Sequence, residues 1–111
     1  DPNIAIEYGY EIQIDEIGLP DGDPIHKTGA IYNYKGSSLK TKNITKPLVV
    51  GKWNTFGIYV IQQSYSVTLN EEKIVTNFVG NKSLEGFIGL QNHDDRSKVY
   101  FRNIMIKELK I

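Results

Sequence analysis

The chain has no cysteine, one tryptophan, one methionine and four prolines in 111 residues, and its 13 basic and 13 acidic side chains cancel. Without cysteine, disulfides and thiolate metal sites are excluded, while the redox compartment stays undetermined. Without net charge, no global field would hold nucleic acid or an anionic membrane. No apolar run approaches the length that crosses a bilayer, so membrane insertion is not expected. Helical periodicity is missing as well. No stretch sustains apolar spacing at i, i+3, i+4, i+7 between caps, and no long helix is expected.

What remains is a period of two. Gly9-Tyr-Glu-Ile-Gln-Ile-Asp15 sets Tyr10, Ile12 and Ile14 on one face and Glu11, Gln13 and Asp15 on the other. Gly86-Phe-Ile-Gly-Leu-Gln-Asn-His93 does the same with Ile88 and Leu90 against Gln91 and His93. Such alternation marks half-buried strands, whose successive side chains point to opposite faces. A short polar turn, His-Asp-Asp-Arg-Ser, leads into Val99–Leu109, where Phe101 and Ile104 both read inward. That break at Arg102-Asn103 predicts a bulge that re-aims Arg102. Thr28–Tyr34, with Ala30, Tyr32 and Tyr34 on one face, Trp53–Gln62, Ser64–Leu69 and Lys73–Val79 read as further strands. Asn70-Glu-Glu between the last two is a hairpin turn. Strands of about six residues at roughly ten-residue intervals predict an all-β antiparallel sandwich or jelly roll. The length fits one domain over residues 1–111.

Two long polar connections, Gly18-Leu-Pro-Asp-Gly-Asp-Pro24 and Gly36-Ser-Ser to Lys46-Pro47, interrupt the pattern. Loops of this length are often functional. Every charge before Lys27 is acidic and every charge from Lys27 to Lys52 is basic. Charge runs of this kind ordinarily mark solvated edges. Asp15, Asp21 and Asp23 could supply oxygen ligands to a hard cation, although the run lacks the spacing and bidentate glutamate of an EF-hand. His26 has no ligand-spaced partner and reads as a surface residue. Most of the seven tyrosines read as core, rings buried and hydroxyls wet. Trp53 reads as closing one end of the sandwich.

Taken singly, Glu11-Gln13-Asp15 and Gln91-His93 are the solvent sides of two strands. On one concave surface they would bring carboxylates, amides and an imidazole together, a mixture suited to vicinal hydroxyls and to acid–base chemistry near neutral pH. A two-carboxylate glycosidase arrangement fits poorly. Glu11 and Asp15 stand about 13 Å apart along a strand, beyond the usual separation of roughly 5–9.5 Å.

Gly-Tyr-Glu-Ile-Gln-Ile-Asp (9–15), Thr-Gly-Ala-Ile-Tyr (28–32), Gly-Lys-Trp-Asn (51–54), Val-Thr-Leu-Asn (67–70) and Gly-Leu-Gln-Asn-His…Val-Tyr-Phe-Arg-Asn-Ile-Met-Ile-Lys-Glu-Leu (89–109) occur in this order along the chain. In this the sequence resembles the 3-keto-disaccharide hydrolase domain family. The resemblance implies a concanavalin A-like lectin/glucanase fold and a carbohydrate partner. It implies a domain lacking the family's N-terminal strands, which other domains or a missing N-terminal segment would complete. It also implies glycosidic cleavage through proton abstraction at C2 of a sugar oxidised at C3. Glu11 or His93 would then be the base, with Arg102 or a divalent metal ion as electrophile. Gln13, Gln91, Arg102 and Tyr32 would bind the sugar, and no protein metal ligands are assigned. Whether the chain is an enzyme, a residual carbohydrate-binding module or a structural module of a secreted or cell-surface protein stays open. An extracellular or periplasmic location is expected.

The expected core is Ile12, Ile14, Trp53, Ile58, Val60, Val67, Leu69, Ile88, Leu90, Phe101, Ile104 and Ile106. On that reading Leu90→Ala would cost about 2–5 kcal/mol. Glu11 beside His93 would have its pKa lowered and that of the histidine raised.

Overall fold

A chain rich in β-branched and aromatic residues and poor in helix signals folds mostly into antiparallel strands. The computed structural model describes residues 2–15, 22–23, 26–32 and 51–110. They form α1 (Pro2–Tyr8), β1 (Glu11–Ile12), β2 (Ile31–Tyr32), β3 (Phe56–Ile61), β4 (Ser64–Leu69) and β5 (Glu72–Val79). β1 and β2 make a two-stranded sheet, and β3-β4-β5 make a three-stranded meander. Tyr34, Asp21 and the connection from Gly36 to Pro47 lie outside the described residues.

Pro2 opens α1, where its fixed φ suits the first helical position. The helix stops at Gly9, whose N–H still donates to Ala5 O at 3.0 Å. Its last carbonyls are met from across the fold. Ser83 N–H donates to Tyr8 O at 3.2 Å, and the Lys82 ammonium donates to Glu7 O at 2.8 Å. Carbonyls at a helix C-terminus lack intrahelical donors, and a lysine there satisfies them and suits the dipole.

The β4–β5 hairpin turns at Asn70 and Glu71, with φ of 49° and 70°. Two positive values in a two-residue loop give the turn whose twist matches its strands. Asn70 also fixes the entry to β3. Its Oδ1 accepts from Thr55 N–H at 2.9 Å, and its Nδ2 donates to Asn54 Oδ1 at 2.9 Å. Two of the short motifs, Trp-Asn and Leu-Asn, are thus joined by one amide pair.

β5 is two residues longer than β4 and absorbs the excess by bulging, with Val67 opposite Val75 and Thr68 opposite Lys73. Asn77 takes φ 54°, and its N–H donates to Ser66 Oγ at 3.2 Å. An extra residue breaks alternation locally. Ile74 and Val75, neighbours in sequence, are therefore both buried.

The core is Ile31, Val67, Leu69, Ile74 and Val75, with Tyr10, Ile12, Phe56, Tyr65 and Phe78 packed around it. Tyr10 meets Tyr65 and Phe78 edge-on at centroid distances of 5.2 and 5.3 Å. Its hydroxyl accepts from Asn81 N–H at 2.9 Å and donates to Asn81 Oδ1 at 3.1 Å. Gly80 lies beneath this ring, where an added Cβ would stand 2.7 Å from Tyr10 Cε2.

The expected core needs correction. Val67 and Leu69 are fully buried and Ile12 packs on the core, but Ile14, Trp53, Ile58, Val60, Ile88, Leu90, Phe101, Ile104 and Ile106 are exposed. Ile58 and Val60 lie on β3, an edge strand whose core contribution ends at Phe56. No strand forms over 86–110. Alternation states which face a residue would take, but a strand also needs a partner for its backbone ladder. The bulge expected at Arg102-Asn103 has no strand to interrupt, although Asn103 takes a left-handed φ of 53°. Ile31, Ile74 and Val75 were not among the expected core residues. Of the tyrosines, Tyr10 and Tyr65 pack on the core, whereas Tyr8, Tyr59 and Tyr100 are exposed.

Leu69→Ala, in the buried cluster, should cost about 2–5 kcal/mol. Leu90→Ala, at a position 54 % exposed, should stay within about 0.5 kcal/mol of the parent. Urea unfolding of both variants checks the pair, and equal losses would contradict the core described here.

Candidate functional site

The face opposite the core begins at β1. Glu11 pairs with Tyr32 and Ile12 with Ile31. Since Ile12 and Ile31 point into the core, alternation puts Glu11 and Tyr32 side by side on the other face. Side chains so paired lie roughly 5 Å apart at Cβ. The ladder continues irregularly beyond the strands. Gln13 N–H donates to Ala30 O at 3.0 Å, and Gly29 N–H to Gln13 O at 2.8 Å. Gly29 has φ 87°, a conformation that costs glycine little and other residues much. The end is clamped by Thr28, almost fully buried, whose N–H donates to Asp15 O at 3.0 Å while its Oγ1 accepts from Asp15 N–H at 2.9 Å. The bonds of Gln13 to both Gly29 and Ala30 set two residues against one, a bulge at Gly29, and Ile14 beyond it is exposed.

Glu11 is half-buried, and burial raises its carboxyl pKa above the ordinary 4.5 while the charge of His93 pulls the other way. The expected effect of the imidazole on Glu11 therefore has the right sign but is outweighed. Desolvation disfavours the carboxylate more than the cation favours it. The same finding brings His93, from the far end of the chain, within electrostatic reach of Glu11.

His93 itself is exposed, at 82 % of its side chain, and its Nδ1 lies 3.1 Å from Asp94 Oδ2. Asp94 Oδ1 accepts from Arg96 N–H at 2.8 Å and Ser97 N–H at 2.7 Å, and Oδ2 accepts from Ser97 Oγ at 3.1 Å. His93 first, then these donors, hold the Asp94 pKa down to about 2. Asp94 heads the polar turn Asp-Asp-Arg-Ser, and an aspartate whose side chain accepts from the amides two and three residues on is a familiar turn pattern.

Arg102 stacks on an indole. Its guanidinium carbon lies 4.0 Å above the centre of the Trp53 ring, which is itself half-exposed. Guanidinium over indole is a favourable cation–π pairing. Gln91 is exposed within the strandless 86–110 segment. His26, expected on the surface, is half-buried, with its ring 5.9 Å from that of Tyr32. Its proximity follows from the tight 27–30 turn, in which Ala30 N–H donates to Lys27 O at 3.0 Å. Among the described residues, no group of three or more histidine, aspartate or glutamate side chains gathers to hold a metal ion. No helix among them is long and apolar enough to cross a membrane.

These features define a β-rich domain that carries a half-buried carboxyl, a cross-strand tyrosine and a nearby imidazole away from its core. Residues 1–107 match the 3-keto-alpha-glucoside-1,2-lyase-like domain, and the chain belongs to that family. No curated protein and no solved structure matches it.

His93→Ala should move two carboxyls at once. Glu11 should rise further, having lost the opposing charge, and Asp94 should climb from about 2 towards 3.8. Carboxyl-carbon NMR titration of parent and variant reads both, and a fall at Glu11 would contradict the proximity of the pair.

Proposed function

We propose that this chain is a carbohydrate-acting domain that cleaves glycosides oxidised at C3, using the Glu11 face of a concanavalin A-like sandwich. Family membership supports the sugar class. The observation that carries the chemistry is Glu11, half-buried beside Tyr32 with its pKa raised, in reach of His93.

A ketone at C3 acidifies the hydrogen at C2. Glu11 takes that proton, and the electron pair spreads as an enolate onto the C3 oxygen. Collapse of the enolate expels the C1 substituent, whose oxygen takes a proton from the imidazolium of His93. The products are an unsaturated keto sugar and the free alcohol, and addition of water to the former would complete a hydrolysis. Proton exchange with solvent returns Glu11 and His93 to their starting forms. A desolvated carboxylate is a stronger base than a hydrated one, which is the use of its raised pKa. Tyr32 offers a ring to the sugar's C–H face. Gln13 and Gln91 bond its hydroxyls, and Arg102, stacked on Trp53, is the remaining sugar contact. An extracellular or periplasmic setting fits such a substrate.

Incubation with a panel of 3-keto-glycosides, with and without divalent metal, followed by product analysis, tests the reading. Glu11→Gln should abolish turnover and leave the melting temperature nearly unchanged, because Glu11 faces away from the core. The acid limb of the rate profile should lie above pH 4.5, since the base form is lost as pH falls through the raised Glu11 pKa. Binding without turnover in every arm would instead assign a non-catalytic binding module.

A further inference from the structure

The turn after His93 holds Asp94 by both of its carboxylate oxygens. Its two oxygens receive four contacts: two backbone N–H groups on Oδ1, and the Ser97 hydroxyl with the His93 ring on Oδ2. The backbone donors fix the carboxylate plane, and with it the direction in which Oδ2 is presented. An ionised carboxylate can only accept, so the hydrogen it shares with His93 sits on Nδ1.

We propose that Asp94 is a positioning residue that locks His93 in the Nδ1–H tautomer, leaving Nε2 as the nitrogen that exchanges protons on the Glu11 face. The inference rests on the reading of that face given above, but its structural half stands apart from any substrate. The histidine nitrogen that does not meet its orienting partner is the one available for chemistry, and the partner decides which that is. Among the described residues, Glu11 is a second charged group in electrostatic reach of this imidazole. Glu11 and Asp94 would then divide the work, the first taking the carbon-bound proton and the second orienting the ring that gives the leaving group its proton.

Asp94→Asn separates turn-holding from ring-holding. An asparagine can keep Oδ1 as acceptor for the Arg96 and Ser97 amides, while Nδ2, in the place of Oδ2, donates and no longer accepts. The chain has only two histidines, so nitrogen-15 imidazole spectra above their titration range are assigned with His26→Gln and His93→Gln. The parent should show His93 protonated at Nδ1 and bare at Nε2. Asp94→Asn should shift it to the Nε2–H form, with the Arg96 and Ser97 amide shifts preserved.

On 3-keto-glycosides the same variant should lose about tenfold or more in kcat with KM little changed, and Asp94→Glu should not restore it, since the longer side chain moves the acceptor. An Nε2–H parent, or an unchanged tautomer in Asp94→Asn, overturns the inference. So does a tautomer shift with kcat intact. A parent that shows the Nδ1–H form, and a variant that loses it, in a chain that turns over no glycoside would uphold the positioning contact and defeat the proposed function alone.

Discussion

The burial of Ile31 against Val67, Leu69, Ile74 and Val75 is the contact on which the other described features depend. It ties the two-stranded sheet to the meander, and it also sets a direction. A strand has only two faces. Once Ile31 and its partner Ile12 are committed to the core, Tyr32 and Glu11 have the other face left to them. The orientation of the candidate base is thus a by-product of packing. Each fully buried aliphatic side chain contributes roughly 1.5–3 kcal/mol, more than a hydrogen bond on the polar face could supply against it.

The parts of the fold that were legible in the sequence are those whose cause is local. Ser64–Leu69 and the Asn70-Glu71 turn could be read because turn chemistry and alternation lie within a dozen residues. The Glu11 and Ile12 alternation was legible for the same reason. Ile31, Ile74 and Val75 escaped because bulges at Gly29 and within β5 put neighbouring residues on one side, and alternation cannot foresee an inserted residue. The segment 86–110 misled for a different reason. Its pattern of Ile88, Leu90, Phe101, Ile104 and Ile106 reports a face that is fit for burial, whereas burial itself depends on a surface and a ladder elsewhere in the chain. These side chains stand in solvent here. Fitness for a core is a property of sequence, and occupancy of a core is a property of assembly.

The candidate site shows the same division in its electrostatics. Proximity of Glu11 and His93 could be anticipated, and the sign of their interaction followed from charge. The net shift at Glu11 could not, because it is set by how much water the fold removes from the carboxyl, and that is a three-dimensional quantity. Asp94 is the converse case. It is solvent-exposed and strongly perturbed, since several donors at hydrogen-bond distance stabilise its charged form without any burial. The two carboxyls are therefore displaced in opposite directions, Glu11 by losing water and Asp94 by gaining donors.

That opposition suits the proposed elimination. Groups whose environments push their pKa values apart are the ones that can hold different protonation states at one pH. An acceptor of a carbon-bound proton benefits from poor solvation, because the hydration it would shed on reaction is already gone. A carboxylate that orients an imidazole must do the reverse and stay ionised through the cycle, or the ring loses its fixed tautomer. Glu11 meets the first demand through the rigid β1–β2 pairing beside the core. Asp94 meets the second through a turn that holds its charge with backbone donors. The ladder at one end of the chain and the turn near the other supply unlike environments, and His93 lies where both act on it.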